Sequence, residues 1–191
     1  EEEEPNACLY SKSDLVIAGS GSLTVNANYN NGITGKDTLF IQKASVTVNA
    51  VNHGINGKDS LTIKDADITV TSGGDALRST NDSDTTLGYL VITGSALKLT
   101  AGEDGIQAET TLTISGGTAT VTTAGGAGQS ISDDTSAKGL KAGTQVTVTG
   151  GTFQLNCCDD AIHSNGDVTI SGGSFTIATG DDGMHADDTL S

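Results

Sequence analysis

The sequence is poor in the residues that most folds use to build a core. Among 191 residues there is no Trp, one Pro and one Met, and aromatic residues make up 3%. Leu, Ile, Val and Phe together number 41, roughly a fifth of the chain, close to the level at which charged chains stay disordered. Basic residues are scarce as well: 9 Lys and Arg stand against 24 Asp and Glu, a formal charge of -15. That balance repels phosphate backbones and anionic lipid and argues against nucleic-acid or membrane partners. No apolar run approaches the ~20 residues needed to span a bilayer. No signal peptide is present, so the sequence reads as a mature or trimmed form. It also lacks HExxH, a phosphate loop, a catalytic triad spacing and any zinc-type Cys/His pattern. Glycine, by contrast, occurs 26 times.

What is present is a repeat. Gly32-Ile33-Thr34-Gly35-Lys36-Asp37-Thr38-Leu39 returns as Gly54-Ile55-Asn56-Gly57-Lys58-Asp59-Ser60-Leu61. An apolar anchor recurs at Leu9, Ile33, Ile55, Leu77, Ile106, Leu140, Ile162 and Met184. The base period is 22 residues, with insertions near Thr80–Thr86 and Ala124–Thr135 that read as surface loops. Within each period apolar residues alternate, the signature of strands and not of helices. One inward column reads Leu15, Leu39, Leu61, Leu90, Leu112, Val146, Val168, Leu190, and another reads Leu23, Val46, Ile68, Leu97, Ala119, Phe153, Phe175. Gly-Gly pairs at 116–117, 150–151 and 172–173 suit a tight corner with positive φ between the second and third strands. Three short strands per period predict an all-β fold, a right-handed parallel β-helix (solenoid) of about eight coils of ~22 residues. Residues 1–7 form an acidic tail and 8–191 a single domain. That domain ends at Leu190-Ser191, inside a second strand, so it is expected to be truncated or completed by another chain.

The residue two before each anchor forms a polar column: Asn31, His53, Asp75, Asp104, Lys138, Asp160, Asp182. Before three of these stand Glu103, Asp159 and Asp181. Carboxylates stacked one strand spacing apart repel unless a cation lies between them. Residues 101–191 hold 2 basic and 12 acidic residues, so the charge gathers where these acids stack. Oxygen ligands at one corner suit Ca²⁺. The expected metal ligands are Asp159, Asp160, Asp181 and Asp182, with a second site from Asp75, Glu103 and Asp104. Lys138 interrupts the column and is expected to neutralise its neighbours. Arg78, Lys141, His163 and His185 lie one residue after their anchors, where they and Lys138 could hold an anionic sugar.

The segments Tyr10-Ser11-Lys12-Ser13-Asp14-Leu15, Gly57-Lys58-Asp59-Ser60-Leu61, Gly102-Glu103-Asp104-Gly105-Ile106-Gln107-Ala108, Asp159-Asp160-Ala161-Ile162-His163-Ser164 and Gly180-Asp181-Asp182-Gly183-Met184-His185-Ala186 resemble a family of secreted bacterial carbohydrate-binding domain-containing proteins. That family is grouped with right-handed parallel β-helices similar to pectate lyases. The resemblance runs from about Cys8 to the C-terminus. It implies calcium at the acidic corners, held by Asp159, Asp160, Asp181 and Asp182, and binding of cellulose or acidic polysaccharide outside the cell or at its surface. The pectate-lyase likeness also raises calcium-dependent β-elimination with Lys138, Lys141 or Arg78 as base. Fold alone does not carry that chemistry, and the expectation is a binding protein and not an enzyme.

Two further features bear on partners. Outward positions of the third strand read Thr24, Thr47, Thr69, Lys98, Thr120, Gln154 and Thr176, a hydroxyl-rich face on an acidic molecule. Exposed Thr is a good strand former in its own right. The face could also carry a flat polysaccharide or a lateral contact between rods. Of three cysteines, Cys157 reads as inward and Cys158 as facing the other way. Cys8 lies about six coils off, too far for an intramolecular disulfide. Self-association through Cys8, the open coil ends or the Thr-rich face gives the alternative reading, a subunit of an extracellular filament.

Overall fold

The computed structural model describes residues 5–132 and 134–191. Most of the acidic tail expected at the N-terminus (1–4) lies outside the described residues; Pro5 and Asn6 are exposed and Ala7 already opens a strand. Among the described residues the protein is all-β, with no helix.

The first repeats supply β1 (Ala7–Ser11), β2 (Leu15–Ala18), β3 (Ser22–Ala27), β4 (Asn31–Gly35), β5 (Thr38–Gln42), β6 (Ser45–Ala50), β7 (Ile55–Gly57), β8 (Ser60–Lys64) and β9 (Asp67–Ser72). The middle repeats supply β10 (Leu77–Ser79), β11 (Tyr89–Thr93), β12 (Ala96–Ala101), β13 (Ile106–Ala108) and β14 (Thr111–Thr123). The last supply β15 (Leu140–Ala142), β16 (Gln145–Cys157), β17 (Ile162–Ser164), β18 (Asp167–Ile170), β19 (Ser174–Thr179) and β20 (Met184–Ala186).

Every strand pairs in parallel with its counterpart one repeat away. One sheet runs β1-β4-β7-β10-β13-β15-β17-β20, and its register joins the anchors: Leu9 to Ile33, Ile33 to Ile55, Ile55 to Leu77, and on to Met184. The second and third strands of each repeat form the other sheet, in which β14 and β16 each span both columns. Here the structure differs from the corner expected at Gly-Gly. Gly116 and Gly117 do take φ of 77° and 87°. The ladder nevertheless runs through, with register shifts around Ser115 that absorb the turn as a bulge.

The core lies between the sheets and is built from the alternating columns. Leu39, Leu61, Leu90, Leu112, Val146 and Val168 are fully buried and stack in register. Each such side chain contributes roughly 1.5–3 kcal/mol by leaving water, so repetition replaces large aromatics. Both insertions fall between strands, within 80–88 and 124–139. The second folds over the outside of Cys158, which lines a cleft with Gln129, Ser132 and Thr135. Cys158 is therefore buried like Cys157, contrary to the outward placement expected from strand alternation. Cys8 is exposed, and all three thiols are free.

Corner strain is local. Lys43 has φ 56° and stands at a corner where the next repeat places Asp65 (φ 50°) and the two after it Gly94 (φ 59°) and Gly116 (φ 77°). A left-handed residue with a Cβ costs roughly 1–2 kcal/mol, which Gly avoids, partly offset by the entropy Gly adds to the unfolded chain. Lys43→Gly is expected to raise stability by about 0.5–1 kcal/mol, read as a higher urea midpoint at unchanged slope. A lower midpoint contradicts this account of the corner.

Candidate functional site

The corner before each anchor is a ladder of side chains that accept backbone N–H groups. Asn31 Oδ1 accepts from His53 N at 3.2 Å, His53 Nδ1 from Asp75 N at 3.0 Å, and Asp75 Oδ1 from Asp104 N at 3.0 Å. Asp104 Oδ1 accepts from Lys138 N at 2.8 Å, and Asp160 Oδ1 from Asp182 N at 2.9 Å. Lys138 has no acceptor to offer, and at that step Asp160 N turns to Asp159 Oδ1 at 2.9 Å. The column therefore has a structural duty: one oxygen of each acid caps the next repeat, which explains why Asp75, Asp104 and Asp160 are buried.

The second oxygen faces a basic group, three residues on in three of the four cases. Asp75 Oδ2 lies 3.2 Å from Arg78, Asp160 Oδ2 2.8 Å from His163, and Asp182 Oδ2 3.1 Å from His185. Asp104 Oδ2 lies 3.1 Å from Lys141 in the next repeat. Lys138 Nζ contacts Asp159 at 2.5 Å and Asp160 at 3.6 Å, the neutralising role expected of it. Burial of Lys138 works to lower its pKa, but the hydrogen bond and charge of Asp159 outweigh that and raise it.

Of the expected metal ligands, the structure brings Asp159, Asp160 and Asp181 together, with one ligand atom from each within 4.8 Å of the others. Asp75 and Glu103 meet His53 in a second group of the same spacing. Asp104 has both oxygens engaged by Lys138 N, Ser136 and Lys141, and Asp182 pairs with His185. Of the expected sugar-binding residues, Arg78 and Lys141 line one cleft with Thr80, Glu103, Gln107 and Ser136. Arg78, Gln107, Lys141, His163 and His185 are successive ladder partners, one per repeat. The insertion 124–135 borders this cleft and the one above Asp159 and Asp181.

Five participants were not among the expected residues, the first being Gln107, which stands in the row between Arg78 and Lys141. Ser136, donating to Asp104 at 2.7 Å, directly follows the insertion 124–135, at a place where no other repeat carries Ser or Thr. His53 stands in the acid column but carries no negative charge. Asn165 and Asp187, two residues after His163 and His185, contact the outer ring nitrogens at 3.0 Å. Their matching offsets in the repeat are the signal that could have found them.

Burial works to raise the Asp75 carboxyl, but the neighbouring His53 and Arg78 outweigh it and hold it below the ordinary value. Lys138 does the same for Asp159. A carboxyl depressed on folding adds stability above its unfolded pKa, roughly 3.9, and loses it as pH falls through the lower folded value. With a chelator present, the melting temperature is expected to hold from about pH 7 to 5 and to drop below about pH 4. Asp75→Asn should make that acid drop shallower; an unchanged drop contradicts the role given to this pair.

The chain matches the family model of the carbohydrate-binding domain-containing proteins over residues 1–183. A protein of Acetivibrio thermocellus described as a carbohydrate-binding domain-containing protein is 47% identical over 114 residues. The matched segment covers 60% of this chain and 40% of that relative. No solved structure matches the chain. With the family model spanning nearly its whole length, the chain belongs to the carbohydrate-binding domain-containing family.

Proposed function

We propose that this chain is an extracellular, calcium-binding right-handed parallel β-helix of about eight coils that binds polysaccharide, cellulose or acidic sugar polymers, without cleaving it. The observation that carries the binding reading is the row Arg78, Gln107, Lys141, His163, His185, one donor per coil beside the carboxylate column. Strand spacing repeats these donors every ~4.8 Å, a regular line against which a linear polymer can lay successive sugars. Guanidinium and ammonium groups suit the carboxylates of acidic sugars. The coil architecture is supported by eight anchor strands that pair in sequence order.

Calcium fits the donors present. Ca²⁺ takes carboxylate oxygens at roughly 2.3–2.6 Å, and one oxygen from each of Asp159, Asp160 and Asp181 lies within 4.8 Å of the others, near enough to gather round one ion. When bound, calcium supplies positive charge that can bridge these acids to an anionic sugar. Native electrophoresis through gels containing polygalacturonate, with sedimentation on cellulose, tests the function. Retardation or co-sedimentation is expected; free passage on both sets the reading aside.

Lysis is disfavoured by the state of the candidate bases. A β-eliminating base must be unprotonated, whereas Lys138 is held as an ammonium by Asp159. Arg78 and Lys141 are paired with Asp75 and Asp104. No rise in unsaturated-uronide absorbance is expected on polygalacturonate with calcium. The filament reading draws on the exposed thiol of Cys8; a disulfide dimer on a non-reducing gel would favour it.

A further inference from the structure

At the acidic end of the stack two histidines lie one above the other. His163 and His185 are ladder partners, and their rings stack with centroids 4.8 Å apart at 22°. Oxygen faces each ring on both edges. His163 Nδ1 is 2.8 Å from Asp160 Oδ2 and Nε2 is 3.0 Å from Asn165 Oδ1. His185 Nδ1 is 3.1 Å from Asp182 Oδ2 and Nε2 is 3.0 Å from Asp187 Oδ1. A neutral imidazole has one N–H and one lone pair, so it cannot donate on both edges. When Nε2–H is given outward to Asn165 and Asp187, both Nδ1 lone pairs face carboxylate oxygens. In that tautomer a cation set between the rings and Asp160 would meet two imidazole lone pairs and a carboxylate oxygen.

We propose that Asp160, His163 and His185 bind a first-row transition dication such as Zn²⁺, through two imidazole nitrogens and one carboxylate oxygen. One ligand atom of each lies within 4.8 Å of the others. Imidazole nitrogen selects zinc, nickel or copper, whereas calcium prefers oxygen alone, so this site differs in kind from the all-carboxylate group of Asp159, Asp160 and Asp181, with which it shares Asp160. Ligands ~2.1 Å from a tetrahedral zinc stand roughly 3.4 Å apart. Closure therefore draws the three atoms together by at most about 1.4 Å, which His185, with its side chain 39% exposed, can make. Asp160 is already fixed, because its other oxygen accepts the Asp182 N–H at 2.9 Å. Asn165 and Asp187 supply the outer hydrogen bonds that orient metal-binding histidines. Lys138, 3.6 Å from Asp160 Oδ2, has its nearer partner in Asp159 and can remain there. The comparable group at His53, Asp75 and Glu103 lacks this opening, since the Arg78 guanidinium sits 2.9 Å from His53 Nε2.

The test is calorimetric titration of the metal-stripped full chain with Zn²⁺ in calcium-free buffer, with Co²⁺ absorption as a reporter of nitrogen ligation. One equivalent of Zn²⁺ is expected, with Co²⁺ giving visible d–d bands. His163→Gln or His185→Gln should abolish both signals, and Asp187→Ala should weaken binding about 10–100-fold. Asp181→Asn should leave zinc unchanged while reducing the calcium response. Absence of zinc binding in the wild type, or binding unchanged in both histidine variants, overturns the proposal. Should His163→Gln disturb folding, the exposed His185→Gln and the wild-type Co²⁺ spectrum decide the matter.

Discussion

Replacing Asp104 by Leu is expected to cost about 3–5 kcal/mol of stability, as for breaking a buried ion pair. The carboxylate is buried and holds three groups at once. Oδ1 accepts from the Lys138 backbone N–H at 2.8 Å and from Ser136 Oγ at 2.7 Å, while Oδ2 faces Lys141 at 3.1 Å. Leu leaves that N–H without a partner and Lys141 beside an apolar group. Asp104→Asn keeps an acceptor for Lys138 N and loses only the charge, so a smaller cost of about 1–2 kcal/mol is expected. Urea unfolding of the three proteins separates the cases. Equal losses for Leu and Asn would mean that the cap contributes nothing, and a loss below about 1 kcal/mol for Leu would remove the ion pair as a determinant. Because Ser136 directly follows the insertion 124–135, the Leu variant should also loosen the wall shared by the two clefts.

The second large effect is expected in the core. Leu112 is fully buried midway along its column, between Leu90 and Val146. Leu112→Ala removes buried surface and leaves a cavity that parallel ladders on both sides hold open, at a cost of about 2–5 kcal/mol. Leu190, at the end of the same column, is 54% exposed. Leu190→Ala should therefore stay within about 0.5 kcal/mol. Repeats that contact only their neighbours lose cooperativity when a central interface weakens, so the Leu112 variant should also unfold over a broader urea range. Equal costs at the two positions would contradict the burial gradient along the column.

These two cases mark what a sequence of this kind discloses. Leu112 was legible because alternation and a 22-residue period fix both its face and its partners; a slip of one residue would turn the whole column outward. The acid column was legible for the same reason, down to the meeting of Asp159, Asp160 and Asp181. What the columns could not show is how each carboxylate divides its two oxygens, since register places Cα atoms and leaves the rotamer open. Asp104 therefore read as a metal ligand, whereas its oxygens go to Lys138 N, Ser136 and Lys141. The burial of Cys158 depends on an insertion that has no counterpart in the other repeats, and Ser136 stands just after it at a place where no other repeat has Ser or Thr. The Gly-Gly corners show a third limit: positive φ was foreseeable at Gly116 and Gly117, but its absorption into a continuous ladder was not.

The central claim is that the donor row beside the acid column binds acidic polysaccharide with the help of calcium. Calorimetric titration with oligogalacturonate tests it most directly, using the wild type with and without calcium and the double variant Arg78→Gln/Lys141→Gln. Charge-assisted hydrogen bonds are each worth about 1.5–3 kcal/mol, so losing two should weaken binding at least ~100-fold. Calcium-dependent binding that falls in the double variant is the predicted result. Binding that is indifferent both to calcium and to the double substitution would contradict the account.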